Sequence, residues 1–120
     1  MGIRNLSEDI ILVELSCEGQ TRADELKAVN EAVTDKRICD VIIDFSKVEI
    51  INSWNISNLL ILRSLLQDSG RRLFLCNVGT VAKCIFVVAG LSEVFVFVDD
   101  KSAALAAMQG ANSPASPYLQ

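Results

Sequence analysis

The sequence predicts an α/β domain built on a mostly parallel, mixed sheet of four to five strands with about four helices. Three observations predict it. Short apolar or β-branched runs alternate with longer segments of helical period along the 120 residues. Such alternation yields parallel strands joined by right-handed crossovers. The run Val41-Ile42-Ile43-Asp44-Phe45 is apolar almost throughout, as strands covered on both faces are. Hydrophobic residues make up 51% of the chain and charged residues 22%, enough for one buried core in a chain too short for two domains.

The elements follow in order. Ile10 to Leu15 reads as the first strand, short and β-branched. An additional N-terminal strand around Ile3 to Leu6 is left open. Residues 16–20 form a turn, and Thr21-Arg22-Ala23-Asp24 offers a capping box. Leu26, Val29 and Val33 then repeat at helical spacing, which predicts an amphipathic helix over 22–34, ended by Asp35-Lys36-Arg37. After the strand Val41–Phe45 comes a link of alternating polarity, residues 46–51. Asn52-Ser53-Trp54-Asn55 starts the next helix. Ile56, Leu59, Leu60, Arg63, Leu66 and Gln67 share its stripe, and Ile61, Leu62 and Leu65 widen it, so this helix is expected to be largely buried. Gly70 suits a left-handed cap after it.

Arg72 to Cys76 is another strand, and Asn77-Val78-Gly79-Thr80 turns the chain into a helix from Val81 to Ala89. Val94 to Val98 is the last strand, and Lys101 to Gln109 a terminal helix rich in alanine. Residues 111–120 carry both prolines and have no periodicity. We read residues 1–110 as one domain and 111–120 as a flexible tail.

Composition excludes several functions. Eleven basic against 15 acidic residues leave a net charge of −4, which argues against nucleic-acid binding. Arg71-Arg72 reads as a solvated turn before a strand. Cys17, Cys39, Cys76 and Cys84 occur singly, without CxxC spacing. Met1-Gly2-Ile3-Arg4 leads into polar residues and not into an apolar signal region. Buried, reduced thiols in a cytoplasmic protein are therefore expected. The stretch from Ile85 to Val98 is broken by Gly90, Ser92 and Glu93, so no membrane insertion is expected. Histidine is absent, which removes the commonest general base and the commonest zinc ligand.

No catalytic pattern stands out. There is no GxGxxG, no Walker-type lysine loop and no GxSxG. Asp99-Asp100 precedes the terminal helix and reads as a cap. Asp44 ends a buried strand, where sites of parallel sheets gather, but it lacks a catalytic partner. We expect no enzyme, no cofactor and no metal. The best candidate surface is the helix start. Ser53 either caps the helix or stands exposed at the positive end of its dipole, where it can accept a phosphoryl group. Trp54, the single tryptophan, either packs in the core or anchors a partner. Asn52, Asn55 and Asn58 share the first turns with them.

The segment from Val41 to Ser53 resembles the signature of STAS domains, the fold of anti-sigma-factor antagonists. That pattern is an apolar strand ending in a polar residue, a short link, an apolar pair, then a serine opening a helix. Ser69-Gly70-Arg71-Arg72-Leu73-Phe74-Leu75-Cys76-Asn77 is similar to the family's Gly-then-strand segment, and Val88-Ala89-Gly90-Leu91 to its helix-ending Gly-Leu. The resemblance spans about residues 9–109. It implies a STAS-type fold and a regulatory protein-interaction module. It also implies that Ser53 is the switch serine, phosphorylated by a partner anti-sigma factor with serine-kinase activity and reset by a phosphatase. Asn52, Ser53, Trp54, Asn55, Asn58 and Asp44 form the expected partner surface.

The chain departs from the family pattern at Asn52, where an acid is usual, and at Trp54 and Asn55, where a small residue and Gly are usual. Cys17 and Gln20 stand where Gly and Asp are common. An aromatic after the serine is more similar to scaffold-type STAS proteins of stress-signalling complexes. The competing reading is a constitutive subunit of a scaffold or transport complex, with Ser53 only a helix cap. A small ligand-binding domain of flavodoxin-like build comes third, and the missing histidine and glycine-rich loops count against it. A homo-oligomer is left open.

Overall fold

A computed structural model describes residues 2–17, 19–34 and 39–110. The predicted order of elements is present. Strand β1 spans Gly2–Ser7, β2 Ile10–Glu14 and helix α1 Gly19–Thr34; β3 spans Asp40–Asp44 and α2 Ser53–Asp68. Then come β4 at Leu73–Cys76, α3 at Thr80–Val88, β5 at Val96–Val98 and α4 at Lys101–Gly110. The N-terminal strand left open by the sequence is therefore formed.

The sheet has the order β1-β2-β3-β4-β5. β1 pairs antiparallel with β2, and the remaining pairs are parallel. Side chains alternate across it, because successive residues of a strand point to opposite faces. Ile11, Val13, Val41, Ile43, Leu73 and Leu75 face one way. There they pack with Leu26, Val29 and Val33 of α1, Leu59, Leu62 and Leu66 of α2, and Ala82 and Phe86 of α3. Ile10, Leu12, Ile42, Phe74 and Cys76 face the other way, under Ala104 and Met108 of α4. Three helices thus cover one face and one helix the other.

Several boundaries and environments differ from expectation, each for a local reason. Helix α1 begins at Gly19, so Thr21 falls inside it and not at its N-cap position. The entry is held instead by Glu25, which is buried and accepts from the Ser16 amide at 2.8 Å. β5 starts at Val96 and not Val94. The Val94 amide is used in a turn to the Leu91 carbonyl, and its own carbonyl accepts from Arg63 Nε at 2.7 Å. The core stripe of α2 is Asn55-Leu59-Leu62-Leu66, and Leu60 and Ile61 are exposed.

Arg71-Arg72 is not a solvated turn. Both side chains pair with buried Asp40 at the start of β3. Arg72 also donates to the Met108 carbonyl at 2.9 Å, tying the end of α4 to the sheet. No disulfide joins the four cysteines, but only Cys39 and Cys76 are buried. Cys17 and Cys84 are exposed, since a single apolar neighbour does not fix which side of an element a residue occupies. Gly70 (φ 71°) and Gly90 (φ 77°) take the left-handed conformation that ends α2 and α3. Asp100 Oδ1 accepts from the Ala103 amide at 2.8 Å, the cap expected for α4. Residues 35–37 and 111–120, read from sequence as a helix stop and a tail, lie outside the described residues.

Candidate functional site

The link from β3 to α2 is anchored where it leaves β3. The Phe45 amide donates to the Cys76 carbonyl at 2.9 Å, and the Val48 amide turns back to the Phe45 carbonyl at 2.8 Å. Val48 and Ile51 are buried, three residues apart, and Ile50 points outward, so the burial of this link does not follow its alternating polarity. The chain therefore reaches α2 in one defined position.

Asn52 is the N-cap of α2, in extended conformation (φ −123°, ψ 176°). Its side-chain oxygen accepts from the Asn55 amide at 2.9 Å, and the Asn55 side-chain oxygen accepts from the Asn52 amide at 3.1 Å. This reciprocal capping box satisfies two donors at the helix start. Ser53 is then the first helical residue, exposed and not the cap. The reading of Ser53 as a mere cap is thereby corrected: the carboxamide of Asn52 sits where an N-cap acceptor must sit, one residue earlier. The Ser53 and Trp54 amides lie in the first turn, where no intrahelical acceptor exists. They supply partial positive charge next to the Ser53 hydroxyl.

Trp54 is 65% exposed. It is not a core residue, because α2 turns Leu59, Leu62 and Leu66 inward and Trp54 lies off that stripe. Asn58 is half-buried and donates to the Trp54 carbonyl at 3.0 Å, while Asn30 of α1 donates to the Asn58 carbonyl at 3.1 Å. A groove of about 890 Å³ runs between α1 and α2, with Trp54, Asn58, Ile61 and Leu65 on its α2 wall.

Two of the sequence candidates do not reach this surface. Asn55 is 1% exposed and acts from below, by holding the cap. Asp44 is 4% exposed. It continues the alternation of Ile42 and so points to the α4 side of the sheet, away from α2. Its Oδ1 accepts from the Ser46 amide and from Asn77 Nδ2, both at 2.9 Å. Asn77 has positive φ (56°), and its amide donates to the Asp99 carbonyl at 3.1 Å. Asp44 thus pins the ends of β3, β4 and β5 together. Beside it, burial and then the Asp44 charge push the Cys76 thiol up to about 12. Asn52, Ser53, Trp54 and Asn58 remain together on one end of α2.

Ile61 and Leu65 both line the groove; Leu65 also packs against the core, as its place on the widened stripe predicts, whereas Ile61 is exposed. Their signal was the spacing Trp54, Ile61, Leu65, a second helical stripe beside the buried one. Among the described residues no cluster of carboxylates and thiols fits a metal ion. Nor is any helix among them long and apolar enough to cross a membrane.

The STAS domain model matches residues 14–104. The chain belongs to the STAS domain family. No curated protein matches it in sequence. Among solved structures it is similar to the anti-sigma factor antagonist SpoIIAA in its unphosphorylated form, at 14% identity and TM-score 0.77, covering 91% of this chain and 96% of that one. It is similar to an RsbS variant from Moorella thermoacetica, at 14% identity and TM-score 0.78, covering 92% and 95%. It is also similar to a sulfate transporter family protein from Wolinella succinogenes, at 20% identity and TM-score 0.74, covering 88% and 89%. The sheet of one antiparallel and three parallel pairs with four helices is the STAS fold of SpoIIAA.

Proposed function

We propose that this protein is a cytoplasmic, non-enzymatic bacterial interaction module of the anti-sigma-factor-antagonist type. Its docking surface is the exposed start of α2, and phosphorylation of Ser53 by a partner serine kinase switches that surface off. A phosphatase restores it. The observation that carries this reading is the division of labour at the helix start. Asn52 and Asn55 supply the cap, so the Ser53 hydroxyl is exposed and has no structural duty there. A phosphate on Ser53 adds about −1.5 to −2 charges beside first-turn amides that favour an anion. The same charge repels an acidic or apolar partner surface seated on Trp54. The likeness to SpoIIAA, solved in both unphosphorylated and phosphorylated forms, supports the switch as the leading reading.

The test is mass spectrometry of the protein isolated from its own cells, paired with partner capture by Ser53→Ala, Ser53→Asp and Trp54→Ala variants. The proposal expects phosphate on Ser53, capture by Ser53→Ala and loss of capture by Ser53→Asp. An unmodified Ser53 together with undiminished capture by Ser53→Asp overturns the switch. A second reading, a constitutive subunit of a scaffold or transport complex, is favoured by one observation: Trp54 is an exposed aromatic anchor in its own right. It expects Trp54→Ala to weaken capture while Ser53→Asp leaves it unchanged.

A further inference from the structure

We propose that the groove between α1 and α2 is a self-association face, and that its occupant is a second copy of this chain. The groove is walled by Lys27 and Glu31 of α1 and by Trp54, Ser57, Ile61 and Leu65 of α2. Two of its apolar members stand in solvent, Trp54 at 65% exposed and Ile61 at 51%, and Leu65 is half-buried beside them. Trp54, Ile61 and Leu65 are seven and four residues apart, which lines them up along one side of the helix. Large apolar side chains gathered in one exposed groove mark an interaction site.

The charges choose the occupant. Lys27 and Glu31 lie one turn apart on α1 and are both exposed. Among the described residues neither is held in an ion pair. A two-fold axis crossing α1 between them turns the helix end for end. Lys27 of each copy then meets Glu31 of the other, and the contact is made twice. The surface is therefore complementary to itself in charge, despite the chain's net charge of −4.

The apolar residues fit the same operation. Helices α1 and α2 follow strands that run in the same direction. Asn30 of α1 donates to the Asn58 carbonyl, which sets the middle of α1 level with Asn58. With a rise of about 1.5 Å per residue in both helices, the half-turn carries Trp54 of one copy to about the level of Ile61 of the other. Apolar burial supplies affinity and the paired charges set the register. An interface confined to two helix faces sits at the small end of specific interfaces, which bury ~800 Å² per partner. The dimer is therefore expected to dissociate on dilution. The inference goes beyond the Ser53 reading and does not depend on phosphorylation. Self-association and partner docking then compete for Trp54.

Analytical ultracentrifugation of the purified chain over a concentration series tests the proposal. The wild type is expected to show a reversible monomer–dimer equilibrium. K27E and E31K should each raise the dimer dissociation constant about tenfold, because each turns two attractive contacts into repulsive ones. An equimolar mixture of K27E and E31K should return to wild-type affinity, since one copy then offers two carboxylates and the other two ammonium groups. The K27E/E31K double variant should do the same. A wild type that stays monomeric up to ~1 mM overturns the proposal. Association that neither charge reversal weakens, or that the mixture fails to restore, also overturns it.

Discussion

Asn52 and Asn55 close each other's backbones at the start of α2, through side-chain oxygens that accept at 2.9 and 3.1 Å. The helix is thus capped by Asn52, and Ser53 is its exposed first residue. Removing the Asn52 side chain should therefore cost stability, while removing the Ser53 hydroxyl should not. Asn52→Ala is expected to lower unfolding free energy by about 1 kcal/mol. Ser53→Ala should stay within about 0.5 kcal/mol of wild type. Urea unfolding of both variants measures the contrast, and equal losses would argue against the cap assignment.

Asp40 joins three segments. It accepts from the Arg72 amide at 2.8 Å, pairs with both Arg71 and Arg72, and through Arg72 is linked to the last turn of α4. Asp40→Ala leaves two guanidinium groups and one amide without their shared acceptor. A loss of about 2 kcal/mol is expected, held to this size because both arginines reach solvent. Hydrogen exchange should rise along α4, which the Arg72 guanidinium ties to Asp40, more than along α2, which is joined to the cluster through the Arg71 backbone amide.

The thiols should divide by burial. At about pH 8, Cys17 and Cys84 should react rapidly with a thiol reagent, and Cys39 and Cys76 only on unfolding. Cys76 also makes stability depend on alkaline pH. Its folded thiol holds its proton to about 12, against 9.0 for an ordinary thiol, because burial and the neighbouring Asp44 disfavour the thiolate. The unfolded chain releases that proton first. The stabilisation is full below pH 9.0 and declines as pH rises from 9.0 toward about 12. Unfolding free energy measured at about pH 8 and about pH 10 should fall less in Cys76→Ala than in wild type.

Phe86, on the buried face of α3, is an aromatic hub. Its ring meets Phe45, Phe95 and Phe97 edge-on, at centroid separations of 6.3, 5.5 and 5.2 Å. Phe86→Ala should cost about 4 kcal/mol by loss of buried area and the cavity left behind. Phe86→Leu should cost less, since it refills most of the volume. Thermal unfolding followed by circular dichroism ranks the two.

Much of the architecture was written in local pattern. The apolar runs at Ile10 and Val41, the helical spacing of Leu26, Val29 and Val33, and the glycines at 70 and 90 each act within a few residues. Period and turn chemistry therefore locate strands, helices and their ends, and their alternation implies the parallel sheet. The serine opening α2 was legible for the same reason.

Which face each side chain occupies depended on contacts between residues distant in the chain. Asp44 belongs to the α4 side because β3 alternates and its neighbours β2 and β4 are in register with it. Ile61 is exposed because α1 and α3 leave that side of α2 uncovered, although it is as apolar a residue type as the buried leucines beside it. Asp40 could be matched to Arg71 and Arg72 only once β3 and β4 were paired. Hydrophobic period is a property of neighbouring residues, whereas burial is a property of whatever packs against them. The strands, the helices and the serine that opens α2 were accordingly readable from the residues, and the cap, the groove between α1 and α2 and the Asp40 clamp emerged from packing.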